Sequence, residues 1–198
     1  SRESAPQALI DRMGPNVYYR HLPIGFNERL VMACDLVQTK YVALLGDDEL
    51  YAPQGLRDCI SQLEADKRLV ATVGRSMFFF HHDGEIIAHQ TYEKSQNLVN
   101  TFGSDIDRLD ESLVDITRGP YLLYGLFNAD QWKTAVRVSY GRKYASGYVY
   151  EFAFHLITTL LGPSTMVDSL VWMRSGENPA MSSDAVNRKI GIGEWGTD

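Results

Sequence analysis

Apolar positions along the chain alternate between helical spacing and short unbroken runs. From Asn27 the residues Leu30, Val31, Cys34 and Val37 recur at intervals of three and four, which lines one face of a helix. Residues 41–45, Tyr-Val-Ala-Leu-Leu, then make a continuous apolar run of strand length. Pro53 opens a second helix, since a first helical position needs no N–H partner, and its core stripe is Leu56, Cys59, Ile60 and Leu63. Residues 69–73 return as a strand. This order predicts an α/β fold: a mainly parallel mixed sheet with helices on both faces and the 41–45 strand at its centre.

The flanking segments extend that frame. A short helix carrying Ala8, Leu9 and Met13 begins near Pro6 and stops at Gly14-Pro15, and residues 17–22 read as a strand. Residues 77–80 and 86–89 flank His82-Asp83-Gly84-Glu85, turn chemistry that predicts a hairpin and hence an antiparallel addition. Residues 91–104 are polar and aperiodic, and read as a loop or an acceptor-facing lid. Helices are expected at 105–116 and 129–138. A stronger one starts near Tyr148, where Val149, Phe152, Ala153, Leu156, Ile157 and Leu160 form one stripe ended by Gly162-Pro163. Residues 166–173 read as the last strand, and the segment from Gly176 onward as an edge passing into a tail. With no repeat or linker in view, one domain over 1–198 is the expectation.

Composition narrows the function. Hydrophobic residues at 44% and charged residues at 22% are values of a globular chain, not of a disordered one. Nineteen basic against 25 acidic residues leave a formal charge of -6, so no overall positive field exists to attract nucleic acid. No run approaches the ~18 apolar residues of a transmembrane segment, and no charged-then-apolar leader opens the chain. A cytoplasmic address is expected, with membrane contact only through a larger assembly. Cys34 and Cys59 fall on apolar helix faces, the pattern of buried free thiols. His81, His82 and His89 read as ordinary hairpin residues, because neighbours on a strand point to opposite faces.

The chemistry concentrates in Asp47, Asp48 and Glu49, three successive carboxylates directly after an apolar strand. Packing does not explain them, and the carboxyl ends of strands in open α/β sheets border the ligand crevice. Hard oxygen donors there suit Mg²⁺ or Mn²⁺, which keep several waters and take phosphate oxygens as further ligands. A second acidic candidate is Glu151, which shares a helix face with His155 four residues on, where partial burial would raise its pKa toward that of a useful base.

Residues 25–56 resemble the middle of family-2-like GT-A glycosyltransferases. The match rests on a helix at 27–37, a strand at 41–45, Asp47-Asp48-Glu49 where the family carries a D-x-D motif, and Pro53 opening the next helix. The resemblance implies a Rossmann-like GT-A fold and a metal-dependent enzyme. Such an enzyme transfers a sugar, with inversion expected, from a nucleotide-sugar donor to a hydroxyl on a sugar or glycoconjugate acceptor, as in polysaccharide synthesis. Asp47 and Glu49 would take the outer motif positions; because glutamate adds a methylene and shifts its oxygens, Asp48 is the alternative ligand. Glu151 would be the base that deprotonates the acceptor. Arg174, at the end of the last strand, would help neutralise the departing nucleoside diphosphate; an ion pair with Glu177 is the other reading of it, and Arg75 is a second cation. Ser1-Arg2-Glu3-Ser4 looks like the loop after the family's second strand, so the first nucleotide-binding strand is expected to be missing from this chain. The alternative is a catalytically silent GT-A-like binding or assembly module of a larger protein.

Overall fold

A computed structural model describes residues 4–91, 103–114 and 121–176. The chain runs α1 (Gln7–Ile10), α2 (Phe26–Leu36), β1 (Tyr41–Ala43), β2 (Leu50–Tyr51), α3 (Pro53–Ala65), β3 (Ala71–His82) and β4 (Glu85–Thr91). It continues with α4 (Asp105–Val114), a 3-10 turn (Tyr121–Tyr124), β5 (Leu126–Asn128), α5 (Ala129–Tyr140), α6 (Gly147–Leu161) and β6 (Ser164–Ser175).

The strands form one mixed sheet in the order β1-β5-β3-β6-β2, with β4 hydrogen-bonded to β3. Strand periodicity divides the core between the two faces of this sheet. Ala71, Val73 and Phe127 join α2, α5 and α6 through Leu30, Cys34, Trp132, Val136 and Phe154. Leu126, Val167 and Val171 pack instead with Cys59 and Leu63 of α3. Helices therefore cover both faces, and the two cysteines are free, buried and in different clusters. α3 lies close against β6: a Cβ on Gly55 would sit 2.0 Å from the Leu170 carbonyl oxygen, so only glycine permits that approach.

The sheet is not mainly parallel. Among the described residues only β3 and β6 pair in parallel, while β1–β5, β5–β3, β2–β6 and β3–β4 are antiparallel. The physical reason is β5, a three-residue strand too short to leave a periodic signal, which inserts between β1 and β3. Since β5 opposes both, β1 and β3 run the same way as β6 without touching each other. This insertion also moves the Tyr41–Ala43 strand from the expected centre to one end of the described sheet.

Residues 17–22 form no strand: the Val17 N–H donates to the Gly14 carbonyl in a turn, and Tyr18 is exposed. The expected strands at 69–73 and 77–80 are one long strand, β3. Its hairpin with β4 turns at Asp83 and Gly84, both at positive φ (50° and 83°), the geometry that suits a two-residue hairpin connection. The helix expected at 129–138 extends to Tyr140. Most of the 91–104 loop and the segment beyond Gly176 lie outside the described residues, as do 115–116 of the helix expected at 105–116.

Candidate active site

Because β1, β3 and β6 share a direction, the acidic turn after β1 and Arg174 near the end of β6 lie at the carboxyl end of the co-directional strands. The turn leaves β1 at Ala43 and is closed by β2, whose Leu50 and Tyr51 pair with Met173 and Trp172 of β6. Within it Asp47 is exposed, while Asp48 and Glu49 are half-buried.

Glu49 folds back into the turn. Its Oε2 accepts the Gly46 N–H at 3.0 Å and the Trp172 indole N–H at 3.0 Å. Burial pushes its carboxyl pKa up, these two hydrogen bonds pull it down, Asp48 raises it and Arg174 lowers it. Trp172 is buried and stacks on Tyr124 with centroids 3.9 Å apart and planes within 8°. The Tyr51 hydroxyl approaches the carbonyls of Leu44 at 2.7 Å and Tyr124 at 3.1 Å, tying the end of the apolar run to the 3-10 turn.

Glu151 lies on α6. Ser146 caps that helix, its side chain accepting the Tyr148 N–H, and Glu151 follows just beyond the first turn. Burial raises the Glu151 pKa and Arg174 lowers it. Arg174 thus acts electrostatically on Glu49 and on Glu151, two carboxylates 102 positions apart that the fold brings to one cation. Trp172 and Arg174 alternate along β6, so both side chains point to the same face of that strand.

The other sequence candidates separate from this group. Arg75 pairs with Asp168 on the surface. His155 is buried, and among the described residues neither ring nitrogen has a hydrogen-bond partner; burial alone lowers its pKa from 6.5 to about 4. Tyr150, next to Glu151 on α6, is occupied within the fold: it stacks on buried Tyr140 at 5.5 Å and its hydroxyl accepts the Tyr144 N–H at 2.9 Å. Tyr148 is half exposed. His81 and His89 lie on β3 and β4, opposite Ile86 and Phe78 respectively. Glu177 lies outside the described residues.

Sequence reasoning missed Trp172, Tyr124 and Tyr51. One local signal was available for the turn, since Gly46-Asp47-Asp48-Glu49 repeats the pattern of Gly25-Phe26-Asn27-Glu28, where Glu28 likewise accepts the glycine N–H. In α2 that contact is half of a capping box; after β1 it closes a turn.

Among the described residues no group of three or more His, Cys, Asp or Glu is gathered that could hold an ion. Mg²⁺ and Mn²⁺ on nucleotides need fewer protein ligands, taking one or two carboxylates together with phosphate oxygens. Adjacent Asp47 and Asp48, hard donors on an accessible turn, fit that smaller requirement. No helix among the described residues is long and apolar enough to cross a membrane. No protein-family model matches the chain, and no curated protein matches it either.

Proposed function

We propose that the chain is a metal-dependent glycosyltransferase that moves a sugar from a nucleotide-diphosphate donor to a hydroxyl of a sugar or glycoconjugate acceptor. One observation carries this reading: an acidic turn, a half-buried carboxylate of raised pKa and a cation acting on both meet at the carboxyl end of the sheet. A solvated surface turn has no need of that convergence.

Asp47 and Asp48 would hold Mn²⁺ or Mg²⁺, which when bound supplies Lewis-acid stabilisation of the departing diphosphate. Arg174 adds positive charge on the same side and restrains the rise in the Glu151 pKa. Glu151 accepts the proton of the acceptor hydroxyl as that oxygen bonds to the anomeric carbon and the bond to the diphosphate oxygen breaks. Its half-buried position suits a base, because burial raises affinity for the proton to be taken.

Glu151→Gln tests this assignment. The amide keeps size and hydrogen bonding but cannot take up the proton, so transfer should fall by about 100- to 10,000-fold with donor affinity unchanged. Transfer near the wild-type rate removes Glu151 from the chemistry. Donor binding without transfer to any acceptor by the wild type favours a silent binding module.

A further inference from the structure

We propose that Tyr140 and Glu151 form a subsite for a neutral hydroxyl, in which the Tyr140 phenol donates to the ligand oxygen and Glu151 accepts the ligand's O–H. That this hydroxyl is the attacking one of a sugar acceptor rests on the function proposed above.

Two observations meet here. The first is an orphaned buried donor. Tyr140, the last residue of α5, is 4% exposed, and its hydroxyl has no hydrogen-bond partner among the described residues. A buried hydroxyl without a partner costs stability, so a position that keeps one calls for a partner from outside the fold. The ring itself is fully used. It stacks on Tyr150 at 5.5 Å with planes 22° apart, and it makes edge contacts with Phe154 at 6.4 Å and Phe26 at 6.2 Å. Phenylalanine would serve that packing, which leaves the oxygen unexplained by the core.

The second observation is where that oxygen lies. Tyr150 and Phe154 are one turn apart on α6, and Glu151 adjoins both, next to Tyr150 in the chain and three residues before Phe154. Tyr140 therefore packs on the stretch of α6 that carries Glu151. The carboxylate acts on the phenol in turn: burial raises the Tyr140 pKa, and Glu151 and then Tyr124 raise it further, so the hydroxyl stays a protonated donor. No hydrogen bond holds the Glu151 pKa down, since burial raises it and Arg174 alone lowers it.

The ligand's chemistry follows from this pair. A hydroxyl donates one hydrogen bond and accepts others, so it satisfies a phenol and a carboxylate at once. An ether or carbonyl oxygen accepts from Tyr140 but offers Glu151 nothing. An anion meets the negative charge of Glu151, and an ammonium group meets the positive field of Arg174 that already acts there. A neutral polyol such as a sugar is the class that fits.

Tyr140→Phe tests the subsite, because it keeps the ring and removes one oxygen. Its urea midpoint should equal or exceed that of wild type, as expected when a buried hydroxyl without a partner is removed. A lower midpoint means that the hydroxyl is bonded within the fold and overturns the proposal. Chemical-shift titration with the methyl glycosides of glucose, galactose, mannose and N-acetylglucosamine, each to about 50 mM, should show at least one of them binding to wild type. Its affinity should fall by about threefold to tenfold in Tyr140→Phe, the worth of one hydrogen bond, and at least as far in Glu151→Ala. Failure of all four to bind, or equal affinity in wild type and Tyr140→Phe, overturns the subsite.

Transfer assays separate the subsite from glycosyl transfer itself. Glycoside binding that weakens in both variants, with no transfer from any nucleotide sugar by wild type, upholds the hydroxyl subsite and rejects glycosyl transfer alone. Transfer whose acceptor KM is the same in wild type and Tyr140→Phe overturns the subsite and leaves glycosyl transfer standing.

Discussion

Substituting His155 by leucine should remove a defined part of the protein's acid sensitivity. His155 is 5% exposed on α6, neither ring nitrogen has a hydrogen-bond partner among the described residues, and burial lowers its pKa from 6.5 to about 4. The sign follows from proton binding: a lowered folded-state pKa means that the unfolded chain binds more protons between those two values. Stability from this group is therefore full above pH 6.5 and is lost as pH falls toward 4. The displacement, 6.5 minus about 4, is roughly 2.5 units, which at 1.36 kcal/mol each gives a total near 3 kcal/mol. About 2 kcal/mol of this should already be lost between pH 7 and pH 5. Urea unfolding of wild type and His155→Leu at both pH values measures it, because the other titrating groups are common to the two proteins and cancel in the difference. At pH 7 the variant should be near neutral, since an apolar side chain of similar size leaves no polar nitrogen buried. If both proteins lose the same stability between pH 7 and 5, the imidazole is either exposed or paired and the reasoning fails.

Other consequences can be tested alongside. Gly55→Ala should destabilise the fold by about 1–3 kcal/mol or more, because its Cβ would meet the Leu170 backbone, whereas an unchanged urea midpoint would mean that α3 stands further from β6. Arg174→Met should move the acid limb of the kcat–pH profile to higher pH, since Arg174 holds down a Glu151 pKa that burial raises and the base must be ionised to act; a limb that stays in place separates the two residues.

The longer helices and the β3–β4 hairpin were legible because α2, α3 and α6 each carry a continuous apolar stripe, and Asp83-Gly84 names its own turn. Pairing direction was not legible. It depends on β5, whose three residues Leu126, Phe127 and Asn128 hold no period, and on the two-residue β2. The candidate site followed the same division. Asp47, Asp48, Glu49, Glu151 and Arg174 could be chosen because charge beside apolar strands and helices is conspicuous. Trp172 and Tyr124 could not, since a stacked indole reaching a carboxylate 123 positions away looks in the sequence like ordinary core. His155 illustrates the limit of facing rules: four residues after Glu151 on one helix, it is buried while Glu151 is only half-buried.

The central claim is that the Asp47–Asp48 turn binds a nucleotide diphosphate through a divalent ion. Calorimetric titration of UDP, GDP, ADP and CDP, each with Mn²⁺ and again with EDTA, tests it most directly in wild type and Asp47→Asn. The account predicts that at least one nucleotide binds, with an affinity that falls by about tenfold or more on chelation and equally in a folded Asp47→Asn variant. Failure of all four to bind, or binding that neither EDTA nor Asp47→Asn weakens, would contradict it.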